Sequence, residues 1–419
     1  MDFDPKQEEA IKACCDTKRR VVAVTGQAGT GKTTIMRAVY NLLTEAGYSV
    51  VLCAPTGKAA KRIKEATGIE AKTIHRLLEY TQPGHPDPET GKIIQTSYPR
   101  RDKQFPLEPD VILADEYAMV NQEVHRALFD AVRPGGRVCV FGDVNQLPPI
   151  ESSPGLRKRM SMFQELLVKF DGITLESIHR QGEGSGIVEN GHRILRGFIP
   201  VRKPDFELRI TNRAIDDLRN FVLESLENGV NFAALDNQII SPTNKTWVGT
   251  ISLNAALQLL LQPEVDKWID VPRHSWDKTP LRFCIGDKVI NTKNNYSLSI
   301  FNGETGIVTD FNELGEIFID FGDRRVTVPP MIEVVSSTGK VFLFDPRKDL
   351  YLAYCVTTHK AQGSEYRNVV YVLNKSSKFI QTRNNFYTGI TRASSKATVI
   401  TDQESLSFSV WRKTSAMEG

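Results

Sequence analysis

The sequence predicts an α/β fold of two lobes, each a doubly wound parallel sheet, with a small antiparallel barrel inserted into the second. Three observations predict it. The runs 21–25, 50–54, 111–114 and 138–141 are continuously apolar rather than alternating, as strands covered on both faces are. Helix-period stretches separate them: Ile35, Val39, Leu42 and Leu43 follow the first run, and Gly47 is placed to end that helix. From about residue 271 to 350, short β runs at 288–291, 306–309, 317–321 and 325–328 are divided by Gly, Asn and Asp turns.

The order of these textures sets the domain boundaries. Residues 1–78 and 111–189 form the first α/β domain, and 190–270 with 351–419 form the second. In the second, strands are predicted at 238–241, 351–357, 369–373 and 397–401, with a Leu-rich helix over 246–262. Residues 271–350 are the barrel. Residues 79–110 interrupt the first domain with prolines, charges and a Glu89-Thr90-Gly91-Lys92 turn before Ile93 and Ile94, which reads as an inserted β-hairpin or else as a plain surface loop.

At 419 residues the chain exceeds one ordinary core, and 40% hydrophobic with 25% charged residues is a soluble globular balance. A net charge of +3 carries no strong overall field, so any nucleic-acid site must be a local groove. The six cysteines (Cys14, Cys15, Cys53, Cys139, Cys284, Cys355) include no C-x-x-C pair, which points to reduced thiols rather than zinc ligands or disulfides. Residues 1–9 lack the apolar core of a leader and no stretch is long enough to span a membrane, so a cytoplasmic enzyme is expected.

Chemistry enters at Gly26-Gln27-Ala28-Gly29-Thr30-Gly31-Lys32-Thr33, a G-x-x-x-x-G-K-[ST] loop between a strand and a helix that also opens with Thr34. Its backbone amides and the helix N-terminus suit a β-phosphate, Lys32 suits the β/γ-phosphates, and the Thr33 hydroxyl suits Mg²⁺. Asp115-Glu116 follows the apolar run 111–114. Asp115 there is a candidate second metal carboxylate, and Glu116 a candidate to polarise the attacking water. ATP and Mg²⁺ are the implied cofactors. Many ATPases share these parts, which give hydrolysis but not its purpose.

Further segments narrow the class. They are Ala54-Pro55-Thr56-Gly57-Lys58, Thr73-Ile74-His75-Arg76, Gly142-Asp143-Val144-Asn145-Gln146-Leu147-Pro148-Pro149, His179-Arg180, Thr357-Thr358-His359-Lys360-Ala361-Gln362-Gly363-Ser364-Glu365 and Gly389-Ile390-Thr391-Arg392-Ala393. In this order they resemble the motifs of superfamily 1 helicases, most closely the RecD-like branch that includes the compact phage Dda helicase. The resemblance spans nearly the whole chain. It implies two RecA-like domains with ATP in the cleft between them, a β-hairpin pin at 79–110 and an SH3-like barrel at 271–350. Gln7 would read adenine, Gln146 would sense the γ-phosphate, Arg180 and Arg392 would act as arginine fingers, and Gly363 and Glu365 would join the nucleotide site.

The same resemblance places single-stranded DNA against Thr56, Lys58, His75, Thr243, Asn244, His359 and Gln362, with Tyr98 and Phe105 as candidates to stack at a fork junction. It implies ATP-driven 5′ to 3′ translocation and duplex unwinding by a monomer, with a single-strand-binding or replication protein as a conceivable partner and no membrane. Two other readings stay open from the residues: an ATP-gated single-strand-binding clamp or recombination subunit without unwinding, and an RNA-directed motor.

Overall fold

The computed structural model describes residues 3–81, 97–149, 160–177, 185–263, 265, 267–272, 281–295, 297–335 and 341–412. They fall into two compact units, which divide between residues 185 and 186.

Unit 1 runs α1 (Pro5–Cys15), β1 (Val21–Gly26), α2 (Lys32–Glu45), β2 (Val50–Ala54), α3 (Gly57–Thr67), β3 (Ala71–Thr73) and α4 (Ile74–Leu77). After the insertion come β4 (Val111–Ala114), α5 (Gln122–Asp130), β5 (Arg137–Gly142), α6 (Met162–Lys169) and β6 (Ile173–Leu175). The six strands pair in the order β3-β2-β4-β5-β1-β6, and every pairing is parallel. Successive strand residues serve opposite faces, which is why the strands read as unbroken apolar runs. Val22 and Val24 pack with Ile35, Val39 and Leu43 of α2, whereas Ala23 joins Phe163, Leu128 and Ile74 on the other side. Gly47, with φ of 85°, ends α2 as the sequence predicts: its N–H donates to Thr44 O at 3.0 Å, and that of Tyr48 to Leu43 O at 3.0 Å.

Unit 2 begins with α7 (Gly186–Arg196), β7 (Phe206–Ile210), α8 (Ala214–Glu227), β8 (Asn237–Ser241) and α9 (Thr250–Leu261). Next come β9 (Trp268–Val271), β10 (Leu281–Cys284), β11 (Lys288–Asn291), β12 (Thr305–Phe311), β13 (Ile317–Asp320), β14 (Arg325–Val328), β15 (Ile332–Val335), β16 (Val341–Phe344) and β17 (Leu350–Leu352). It closes with β18 (Cys355–Thr357), α10 (Thr358–Ala361), β19 (Tyr366–Val372), α11 (Arg383–Ile390), β20 (Ala393–Thr401) and α12 (Gln403–Trp411). A parallel sheet in the order β18-β8-β19-β20-β7 is joined by an antiparallel sheet in the order β14-β13-β12-β11-β17.

Two predicted elements differ. The run 351–357 is not one strand: Leu350–Leu352 pairs antiparallel with β11, and Cys355–Thr357 pairs parallel with β8. Only Ala353 and Tyr354 separate the two sheets there, so a continuous apolar run conceals a change of partner. The helix predicted from residue 246 starts at Thr250, because residues 241–249 are folded into a hydrogen-bonded loop.

The inserted sheet shares a core with its host. Leu218, Phe221, Leu253 and Leu257 of α8 and α9 pack in one cluster with Ile239 and Val370 of the parallel sheet and with Val289, Val308 and Ile319 of the inserted one. Buried polar groups lock the joint. Asn254 Nδ2 donates to Leu352 O at 3.0 Å and Cys355 O at 2.9 Å, and its Oδ1 accepts from Cys355 N at 2.8 Å. Asp287 accepts from Cys284 N at 2.7 Å, Gln258 Nε2 at 2.6 Å and Tyr354 Oη at 2.7 Å. Lys288 Nζ, on a side chain buried in the protein, donates to Ala234 O at 2.9 Å and Asn237 O at 2.6 Å. Asn254→Ala leaves three backbone groups at the junction without their partner. It is expected to lower the stability of unit 2 by about 2–4 kcal/mol, read as a shift of its urea transition to lower concentration.

Candidate nucleotide site and strand-binding edge

Parallel pairing brings the loops after β1, β4 and β5 to one edge of unit 1. Thr25 lies opposite Gly142 and Ala114 opposite Val140, so the phosphate loop, Asp115-Glu116 and the loop beginning at Asp143 leave adjacent strands at the same end. Gly31, the N-cap of α2, has φ of 83°, and a Cβ there would lie 2.5 Å from Gln7 Nε2. Glycine therefore suits the left-handed turn, and a side chain there would also have to displace the Gln7 amide.

Gln7 is buried and has two tasks. Its Nε2 donates to Thr30 O at 3.1 Å inside the phosphate loop, and its Oε1 accepts from Asp4 N at 3.2 Å in the capping box of α1. Lys32 Nζ donates to Gly26 O at 2.6 Å and Gln27 O at 2.8 Å, so the loop's own carbonyls hold its ammonium over the turn. Thr33 and Thr34 follow in the first turn of α2.

Asp115 is buried, and its amide donates to Cys53 O at 2.9 Å. Burial pushes its carboxyl up to about 6; the neighbouring Glu116 pushes the same way, and the charges of Lys32 and Arg62 pull against it. Glu116 sits at φ of 51°, a left-handed conformation that costs a non-glycine residue roughly 1–3 kcal/mol. Its Oε2 is buried and meets no hydrogen-bond partner among the described residues, and the same holds for Oε1 of the buried Gln146. Asp143, also buried, fixes that loop by accepting from Asn145 N at 2.9 Å. An oxygen-rich edge with a buried carboxylate and two unsatisfied acceptors fits a hard cation and its water shell beside a polyphosphate.

Other sequence candidates of unit 1 lie near strand ends or on the insertion. Thr56 caps α3, its Oγ1 accepting from Ala59 N at 3.2 Å, and Lys58 stands in the first turn. His75, in α4, packs on Tyr80 with ring centroids 4.6 Å apart, and burial lowers its pKa. Tyr98 is 46% exposed and pairs with Thr81, whose N–H donates to Tyr98 O at 2.9 Å while Tyr98 N–H donates to Thr81 Oγ1 at 3.0 Å. Phe105 is exposed in a turn closed on Asp102 Oδ1 at 3.0 Å. The expected hairpin turn at Gly91 and the arginine finger Arg180 lie outside the described residues.

In unit 2, Thr357 lies opposite Ser241, so the loops after β8 and β18 share an edge. Thr243 and Asn244 follow β8, with Oγ1 of Thr243 and Thr246 2.6 Å apart and Thr250 Oγ1 donating to Asn244 Oδ1 at 2.8 Å. Thr357 caps α10, which carries His359, and Gln362 follows; burial lowers the pKa of both His359 and Lys360. Both imidazoles, His75 and His359, are thereby held towards the neutral form, suited to hydrogen bonding or stacking rather than to charge. Arg392 is buried, with Nε donating to Thr388 O at 3.1 Å and Nη1 to Ser364 O at 3.2 Å, next to Gly363 and Glu365 in sequence. One exposed residue of this edge, Trp247, is absent from the sequence candidates because it reads as part of the helix.

Three family models match successive segments of the chain. Residues 2–203 match the AAA domain family, residues 253–321 the ATP-dependent RecD-like DNA helicase SH3 domain, and residues 352–400 the UvrD-like helicase C-terminal domain. The chain is 34% identical over 375 residues to the ATP-dependent RecD2 DNA helicase of Deinococcus radiodurans, covering 89% of this chain and 46% of that protein. It is 27% identical over 431 residues to the RecBCD enzyme subunit RecD of Mycolicibacterium smegmatis, covering 94% of this chain and 70% of that one. The chain thus spans less than half the length of the first relative. In fold it is similar to a Bacteroides Pif1 helicase solved with ADP-AlF3 and ssDNA, at a TM-score of 0.57 and 20% identity over 96% of this chain and 92% of that one. The Candida albicans Pif1 helicase gives 0.55 and 19% over 96% and 94%. The two RecA-like sheets and the SH3-like insertion are therefore the arrangement of a known helicase fold. No helix among the described residues is long and apolar enough to cross a membrane, and the six cysteines are free.

Asp115→Asn tests the electrostatics of this edge. With its carboxyl raised to about 6 in the fold and near 3.9 when unfolded, the folded chain holds the extra proton between those values. The wild type therefore loses stability from this group as pH rises through that window. D115N should lack that loss and exceed the wild type by about 2–3 kcal/mol above pH 7. Thermal melts from acid to neutral pH check it, and a gap between the two proteins that does not widen with pH would refute it.

Proposed function

We propose, from the kinship of this chain with the RecD-like superfamily 1 helicases, that it is an ATP-driven motor that moves 5′ to 3′ along single-stranded DNA and unwinds duplex at a fork. The observation that carries the reading is the gathering of the phosphate loop, a buried carboxylate and two unsatisfied acceptors on the adjacent ends of β1, β4 and β5. The names of the relatives, ATP-dependent DNA helicase and RecBCD subunit, support DNA as the track. A place near the Dda type, action as a monomer, and recruitment to replication or recombination belong to the same proposal and rest on the sequence resemblance.

Each residue then has a task. The Lys32 ammonium exchanges the carbonyls of Gly26 and Gln27 for phosphate oxygens, which frees the loop's amides for the β-phosphate. Mg²⁺, held by Thr33 and Asp115, would neutralise charge on the β- and γ-phosphates. Glu116 Oε2, buried beside Asp115 in the chain, is the acceptor for the proton of the attacking water, and Gln146 Oε1 orients that water or reports the γ-phosphate. Gln7 links the adenine end to the turn at Thr30 and Gly31. Arg180 and Arg392 supply positive charge to the transferring group, and Arg392 must leave the carbonyls of Thr388 and Ser364 to do so.

Strand displacement on 5′-tailed DNA, 3′-tailed DNA and RNA duplexes tests the reading. Unwinding of the 5′-tailed DNA alone is expected; a preference for the 3′ tail would overturn the polarity, for RNA the track, and binding without displacement would favour a clamp. Lys32→Ala should lose turnover by about 10³-fold or more while still binding the strand, measured by phosphate release and by anisotropy of a labelled oligonucleotide. ATP turnover at the wild-type rate in that variant would exclude the phosphate loop as the site.

A further inference from the structure

Trp247 is 79% exposed, more than any other large apolar side chain among the described residues, although Val248, Gly249 and Thr250 after it are buried. An indole left in water at a fixed point needs a reason. The loop that carries it is fixed. Ser241 Oγ donates to Val248 O at 2.6 Å, Gly249 N to Thr246 O at 2.8 Å, Thr250 N to Thr243 O at 3.0 Å, and Ile251 N to Asn244 O at 3.2 Å. A Cβ on Gly249 would lie 2.4 Å from Asn244 O, so even the glycine is dictated by the turn. The polar side chains of Thr243, Thr246, Asn244 and Thr250 bond to one another within it. They build the loop; Trp247 is what the loop holds out.

The place matters as much as the exposure. Ser241 and Thr357 pair in register at the ends of β8 and β18, so Trp247 stands on the same edge as the turn bearing His359 and Gln362. Lys245, two residues away, is exposed and can meet a phosphate. We infer that Trp247 is a stacking platform for a base of the single strand, with Thr243 and Asn244 as positioning residues that hold the loop rather than the strand. This deepens the motor reading and rests on it. A flat indole suits any base, because each base presents a π face, and a loop ordered on folding adds little entropic cost on binding.

Binding of an oligothymidylate and of an abasic phosphodiester strand of the same length, by anisotropy with the full chain, tests this. Trp247→Ala should weaken oligothymidylate binding about 5- to 100-fold and the abasic strand far less, while Trp247→Phe retains most of the affinity. Equal loss on both strands would overturn stacking in favour of a structural or phosphate role. Unchanged binding of both would overturn it too, and assign Trp247 to the outward apolar face of α9, with Ile251 and Leu259, as a protein-docking surface. Wild-type protein that binds neither strand would bring down the motor reading itself, which separates the two failures.

Discussion

Parallel strand pairing is the constraint on which the rest depends. A parallel sheet must return each chain over its face, so every crossover starts at the same end and the active loops collect there. In unit 1 this gathers the loops after β1, β4 and β5; in unit 2 it gathers those after β8 and β18. Neither collection needs long-range recognition between loops. Register alone, Thr25 against Gly142 or Thr357 against Ser241, puts residues more than a hundred positions apart on one edge.

The edge in unit 1 is built against its own stability. Asp115 is held where its charge is disfavoured, Glu116 adopts a strained backbone, and two acceptors lie buried without partners among the described residues. Each of these is a cost that a merely structural loop would have shed. Their coincidence beside a phosphate loop is a stronger mark of function than any one of them, since ion pairs and tight turns elsewhere produce single outliers. By contrast, Asp287, one of the carboxylates buried in unit 2, has three donors and fastens the inserted sheet.

What the sequence made legible follows from how local each signal is. The phosphate loop, Asp115-Glu116 and the strands before them are short, contiguous and chemically distinctive, and the structure sets them at the same end of β1 and β4, the two strands that flank β5. The β17–β18 change of sheet was illegible because an apolar run looks the same whichever strand it pairs with; partner choice lives in Asn254 and Asp287, more than sixty residues away in the chain. Trp247 was hidden for a related reason. Helical periodicity runs smoothly back through residue 246, whereas the loop bonds of Ser241, Thr243 and Asn244 hold residues 241–249 out of the helix, which starts at Thr250. Gln7 was read for the nucleotide alone; its contact with Thr30 and its role in the cap of α1 depend on a close approach at Gly31 that spacing does not report.

The joint between the two sheets of unit 2 has a mechanical meaning. β17 ends at Leu352 and β18 begins at Cys355, with no glycine and no turn between them. Asn254 grips both sides of that short link, and Tyr354, inside it, is bonded to Asp287 of the inserted sheet. β18 leads within two residues to His359, on the edge that carries Trp247 through its neighbour β8. The SH3-like sheet is therefore joined to the edge that carries His359 by buried hydrogen bonds and a shared apolar core rather than by a flexible linker. An insertion fastened in this way is packed as an extension of the parallel sheet, within one compact unit, rather than as a separate domain.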